Sequence, residues 1–225
     1  MKNVYNNFIE RIANIRELGN IYDQNITQYP LLTEILSDIL RFQLVYVVSA
    51  FDRFMHDITR VNFIQSIQNK EVLTKKAENF NVPLSVILEI YQKTQFPLSF
   101  ENNMVLYLNN EIYKQHSFLV FQHPDKIKEA LSLIWEENYK WQKIAENMTI
   151  TLSGNTNNDK EKYLKQKVTL IVERRNQIVH EADIDLVTNQ KRHIDKRDIT
   201  DYILTIEDLG NSIYKCLNNK CNKPA

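Results

Sequence analysis

Apolar residues recur at steps of three and four along most of the chain, the spacing of α-helices that turn one face inward. Phe8, Ile12, Ile15 and Leu18 mark an amphipathic helix over residues 3–22. Pro30 then opens a long one, in which Leu40, Leu44, Val47, Phe51, Met55 and Ile58 keep the same steps. A loop around Asn81-Val82-Pro83 leads into a short helix from Leu84, which Pro97 brings to a break. The pattern resumes over 103–121 and over 125–147, the second opening at Pro124-Asp125 and carrying Leu131, Ile134, Trp135, Trp141 and Ile144. The polar, turn-rich run "TLSGNTNND" (151–159) is a loop. Two more helices, over about 160–181 and 196–218, complete the pattern. The expected fold is one all-α domain over 1–225, a helical bundle with additional helices inserted in the middle of the chain, roughly 62–123.

Composition narrows the function classes. Three glycines in 225 residues leave no glycine-rich phosphate loop of either common kind. Formal net charge is zero, which argues against tight non-specific binding of nucleic acid and makes any such contact local. The most apolar run, "LVYVVSAF", is too short to span a bilayer, and no secretory leader pattern opens the chain, so a cytoplasmic protein without membrane attachment is expected. Cys216 and Cys221 form a lone C-x4-C pair, more in keeping with free thiols in a reducing compartment than with a metal.

The chemistry concentrates in "IVERRNQIVHEADID", residues 171–185. On an ideal helix Leu164, Val168, Ile171, Val172, Ile178, Val179 and Ala182 all fall within about 60° of Arg175. Arg175 therefore sits at the centre of the face expected to be buried, and a buried guanidinium requires an anionic partner. That partner is either a carboxylate on a neighbouring helix or a bound phosphate, which the planar fork grips bidentately. Asn176 and His180 are four residues apart, so they share a stripe with Glu173, and the amide can fix the imidazole's tautomer for acid–base work. His180 lies about 140° from Arg175 on the same helix. Both reach one substrate only if the arginine arm curls round or a second copy of the helix completes the site.

Arg175-Asn176-x-x-x-His180 resembles the R-x4-6-H motif of the HEPN superfamily. The flanking "VERRNQIVHEADID" and "NQKRHIDKRDI", with "VSAFDRFMHDI" on the long early helix, are similar in particular to the RiboL-PSP-HEPN branch. The resemblance extends over residues 35–62 and 160–218. It implies a metal-independent endoribonuclease on a helical bundle, without cofactor, often dimeric with the motif helices of two protomers facing each other. Such proteins serve as toxins, antiviral effectors or RNA-processing enzymes, and an antitoxin or regulatory partner is implied with them. One departure stands out: HEPN toxins paired with minimal nucleotidyltransferase antitoxins carry R-x4-H-x-Y, whereas Glu181-Ala182 follows His180 here.

The chemistry suits RNA, which carries its own nucleophile in the 2′-OH. His180 transfers the proton, Arg175 neutralises the phosphate as charge accumulates, and Asn176 orients His180 or a phosphate oxygen. Asp52 and His56 lie on one flank of the long helix. They are candidates for substrate binding, with Asp52 pairing Arg175, or else an ordinary i,i+4 pair on a helix surface. Arg192, with Lys191, Lys196 and Arg197, forms a basic loop beside the motif that either guides RNA or is plain solvated surface. His116, His123 and His193 share no ligand spacing and are expected to be non-catalytic. The alternative to an enzyme is a non-catalytic HEPN-like interaction or nucleotide-sensing module.

Overall fold

The computed structural model describes residues 1–93 and 97–221. Its helices are α1 (Lys2–Gln28), α2 (Thr33–Gln68), α3 (Lys75–Glu78), α4 (Leu84–Lys93), α5 (Pro97–His116), α6 (Pro124–Leu131), α7 (Lys140–Asn147), α8 (Asn157–His180) and α9 (Lys196–Cys221). Among the described residues there is no strand, only one isolated bridge between Ile184 and Lys191. The fold is all-α, as the periodicity predicts. No described helix is long and apolar enough to cross a membrane.

The 36-residue α2 is the axis of the bundle, and α1, α5, α8 and α9 pack along it. Its buried row (Leu40, Leu44, Val47, Val48, Phe51, Phe54, Met55, Ile58) keeps the expected steps. Phe8 of α1 wedges between α2 and α9, its ring centroid 4.7 Å from that of Phe54 and 6.4 Å from that of Phe51. From α8 come Leu164, Val168, Ile171 and Val172, and from α9 Ile199, Ile203, Ile206, Leu209 and Ile213, all in one buried apolar cluster. Cys216 is a free, buried thiol, which burial pushes up to about 11. The Cys221 side chain lies outside what the structure describes.

One predicted helix is divided. Residues 125–147 form α6 and α7 with an irregular segment, 132–139, between them, in which Leu133, Ile134 and Trp135 are buried as Leu131 is. Leu131, Ile134 and Trp135 would share one face of a continuous helix, but Leu133 would point almost opposite to them, so a single face does not bury all four. The Thr74 hydroxyl donates to the carbonyls of Ser132 and Leu133 (3.0 and 3.1 Å), groups that a continued helix would have satisfied itself. Trp141 Nε1 donates to Pro124 O (3.3 Å) and draws α7 back against α6.

Gly210 allows α9 to approach α1. A Cβ built there would lie 2.3 Å from Phe8 Cε1, inside any tolerable contact. Gly210→Ala is therefore expected to destabilise the protein by about 1–3 kcal/mol through overpacking, despite the better helix propensity of alanine. Urea denaturation measures this, and an unchanged or raised midpoint would contradict the wedge.

Candidate functional site

The helix α8 begins at a capping box. Thr156 Oγ1 accepts from the Asp159 N–H (3.1 Å), and Asp159 Oδ2 accepts from the Thr156 N–H (3.2 Å). The buried face of the helix ends at Val172. Beyond it the helix runs out over the loop of residues 181–195, and the motif occupies this last stretch, with His180 as the final helical residue.

The charged partner expected for Arg175 belongs to its neighbour. Arg174 donates both terminal nitrogens to Asp183, Nη2 at 2.9 Å from Oδ2 and Nη1 in close contact with Oδ1. Arg41 of α2 donates from Nε to Asp183 Oδ2 (2.5 Å). The Asp183 side chain is 1% exposed, and its carboxyl is pulled two ways. Burial pushes it up, while the hydrogen bonds and charges of Arg174 and Arg41 outweigh burial and hold it below the usual carboxylate range. Its backbone is tied as well: its N–H donates to Gln177 O (3.0 Å) and its carbonyl accepts from the Arg192 N–H (2.7 Å). Ala182 and Asp183 both adopt left-handed backbone (φ 52° and 60°), which turns the chain out of the helix directly after the motif.

Arg175 is half-buried, not at the centre of a buried face, and makes no ion pair among the described residues. The core tapers over the last two turns of α8, so an azimuth that means burial at Val168 no longer does at Arg175. Its Nη1 donates to Asn176 Oδ1 (2.9 Å), and its Nε is buried without a partner. His180 is exposed. Among the described residues Arg175 is bonded to Asn176, and His180 makes no hydrogen bond to either.

Asp52 does not pair Arg175. Its Oδ1 accepts from the Phe121 N–H (2.6 Å) and lies 3.9 Å from His56 Nε2, so it fastens the 117–123 loop to α2. The His56 ring lies against Phe121, with centroids 4.5 Å apart. His116 is almost fully buried beside them, and burial, followed by the charges of His56 and Lys76, lowers it to about 4. The basic loop is largely neutralised: Lys191 pairs Asp38 (2.5 Å), Arg192 pairs Glu181 (2.8 Å) and Lys196 pairs Asp23. A groove of about 1010 Å³ runs between this loop and the start of α2. Among the described residues no group of three His, Cys, Asp or Glu side chains is placed to hold a metal ion.

The chain matches the family model described as RiboL-PSP-HEPN over residues 6–219. It belongs to that family. The match covers the middle of this HEPN chain as well as the two segments whose residues carry the resemblance. No curated protein and no solved structure matches it significantly.

Sequence reasoning passes over Arg41, Arg174 and Asp183 of this HEPN protein. The available signal is Arg41 itself, a cation inside the apolar row of α2, which implies a buried anion somewhere in the fold. Asp183→Asn leaves Arg174 without an ion-pair partner among the described residues and Arg41 with only the more distant Asp38 (3.4 Å), and a loss of about 3–5 kcal/mol is expected. Because the folded carboxyl titrates below its unfolded value of about 3.9, its contribution is present above that pH and falls away as acid protonates it. Stability measured against pH should therefore drop below about pH 4 in the native protein, with a shallower fall in Asp183→Asn. Equal slopes would show that the triad contributes nothing.

Proposed function

We propose that this protein is a metal-independent endoribonuclease of HEPN type, acting as a toxin or antiviral defence effector. The observation that carries this reading is the intact Arg175-Asn176-x-x-x-His180 at the exposed end of α8, in a chain matched by the family almost throughout. A fold-only role requires neither group. His180 is too exposed to support the core, and the structural ion pair at this end of α8 is made by Arg174 instead.

On this reading the 2′-OH of the substrate attacks the adjacent phosphorus and the 5′-oxygen leaves. An imidazole at His180 takes the proton from the 2′-OH or delivers one to the leaving oxygen. Arg175 stabilises the charge gathering on the phosphate, and Asn176 positions the Arg175 guanidinium to which it is bonded. The products are a 2′,3′-cyclic phosphate and a 5′-hydroxyl. Incubation with labelled RNA in chelator, followed by end-group analysis, tests this. Cleavage is expected to persist with those ends, and His180→Ala is expected to lower the rate by about 10²–10⁴-fold without unfolding. Activity that vanishes in chelator and returns with Mg²⁺ would overturn the mechanism.

The site is completed by a second copy. Arg175 and His180 diverge by about 140° on one helix, and the Arg175 fork is turned to Asn176. Two antiparallel motif helices about a two-fold axis bring the arginine of one protomer towards the histidine of its partner. Mixing Arg175→Ala chains with His180→Ala chains, each inactive alone, should restore part of the activity in the heterodimer. A monomer that cleaves at full rate would refute the composite site.

A further inference from the structure

One stripe of the long helix α2 faces away from the core, exposed at Phe42, Tyr46, Ser49 and Arg53 and half-buried at His56 and Arg60. On ideal helix geometry Phe42, Tyr46, Ser49, Arg53, His56 and Arg60 lie within about 40° of one line and span about 27 Å. Phe42 and Tyr46 are 56% and 51% exposed, and their rings sit 6.0 Å apart. Two hollows succeed each other along the stripe. The first, of about 350 Å³, lies between Arg11 and Asn14 of α1 and Tyr46, Ser49 and Arg53 of α2. The second, of about 180 Å³, lies between Arg53, His56 and Arg60 of α2, Tyr113 and His116 of α5, and Ser117 just after it. Arg53 lines both.

Charge separates this stripe from the loop after the motif. Lys191, Arg192 and Lys196 each face a carboxylate of their own. Along α2 the two hollows are lined by Arg11, Arg53 and Arg60 against one carboxylate, Asp57. Asp57 takes Arg53 Nε at 2.7 Å and Arg60 Nη2 at 3.0 Å, so it aligns the two guanidinium groups while cancelling only one of them. Arg60 Nη1 is bonded to Asn109 (2.6 Å), which fixes its plane. Arg11 makes no ion pair among the described residues and is exposed.

We propose that this stripe is a track for single-stranded RNA, with Phe42 and Tyr46 stacking on bases and Arg11, Arg53 and Arg60 holding the phosphates. The proposal rests on the ribonuclease reading and gives that reading a binding surface outside the motif. Exposed aromatic rings beside a row of cations are what a flexible strand requires, since every base offers a π-face and every linkage a charge. A second copy of the chain fits the same stripe poorly. A two-fold contact centred near Arg53 would set these arginines against their own counterparts. A net charge of zero is no obstacle, because the excess is local.

The test is fluorescence anisotropy of the full chain with a fluorescein-labelled 2′-O-methyl oligoribonucleotide, which lacks the nucleophilic hydroxyl, over a range of salt. Tyr46→Ala is expected to weaken binding about five- to a hundred-fold. Replacing Arg53 and Arg60 together by Gln should reduce the slope of log affinity against log salt by about 1.4, two phosphate contacts at about 0.7 each. Arg11→Gln changes an exposed, unpaired side chain, so its expected reduction of about 0.7 is independent of folding. Variants whose affinity and salt slope match the native protein would overturn the track, and cleavage by the native protein would then leave the ribonuclease reading standing. Tight binding by a chain that never cleaves would do the reverse. If Tyr46→Ala changes the sedimenting mass and leaves RNA affinity alone, the stripe is an interface between copies and the proposal fails.

Discussion

The end of the motif helix is fixed by one buried carboxylate. Asp183 lies between Arg41 of the central helix and Arg174 of the motif helix, and its backbone is bonded to Gln177 and Arg192. Burying three charged groups costs much of what their attraction returns. The contribution of the triad is therefore mainly geometric. It sets the rotation of α8 about its axis, the point at which the chain leaves the helix, and the position of the next ten residues. Two consecutive left-handed residues are tolerated because these contacts over-determine the turn. His180 is three residues away and owes its place at an exposed helix end to this lock.

The lock also divides the labour of the two adjacent arginines. Arg174 is committed to Asp183, so the guanidinium of Arg175 remains without a carboxylate, bonded only to the amide of Asn176. A cation held by a neutral partner keeps its charge available to an incoming phosphate in a way that an ion-paired one does not. The same logic applies to the loop beyond. Asp38, Glu181 and Asp23 take three of its four cations, all but Arg197, and give it shape at the expense of its positive field. A positive field arises instead where arginines outnumber carboxylates, as in the two hollows along α2.

How much is legible in the sequence depends on how local the governing physics is. The helices of α1, α2, α8 and α9 announce themselves because a three-and-four spacing needs no knowledge of what covers it. The break between α6 and α7 does not, since Leu131, Ile134 and Trp135 fall on one face of a helix and Leu133 alone departs from the pattern. Only Thr74, some sixty positions earlier, takes up the carbonyls that the break exposes. The candidate site is legible to the same degree. Arg175, Asn176 and His180 are found from spacing and family resemblance. The expectation that Arg175 is the deeply buried cation assumes a core of constant thickness along α8, and the core ends at Val172. Asp52 does lie on a flank of α2, but its partner, the Phe121 N–H, is a backbone group and leaves no trace in residue identities.

A helix end is a poor place for a preorganised active site unless something stiffens it, because terminal turns fray where the ladder of backbone bonds runs out. Here the stiffening comes from outside the helix. The Asp183 N–H closes onto Gln177 O, Arg174 reaches past the terminus to His193 O (3.2 Å), and Arg41 joins both to the longest helix of the fold. The exposed histidine thus sits at a terminus tied down by bonds to residues on either side of it. Because the lock acts through the backbone on one side and through α2 on the other, the face carrying Asn176 and His180 is left clear. On the proposed composite site, that face is where the motif helix of a second copy would lie.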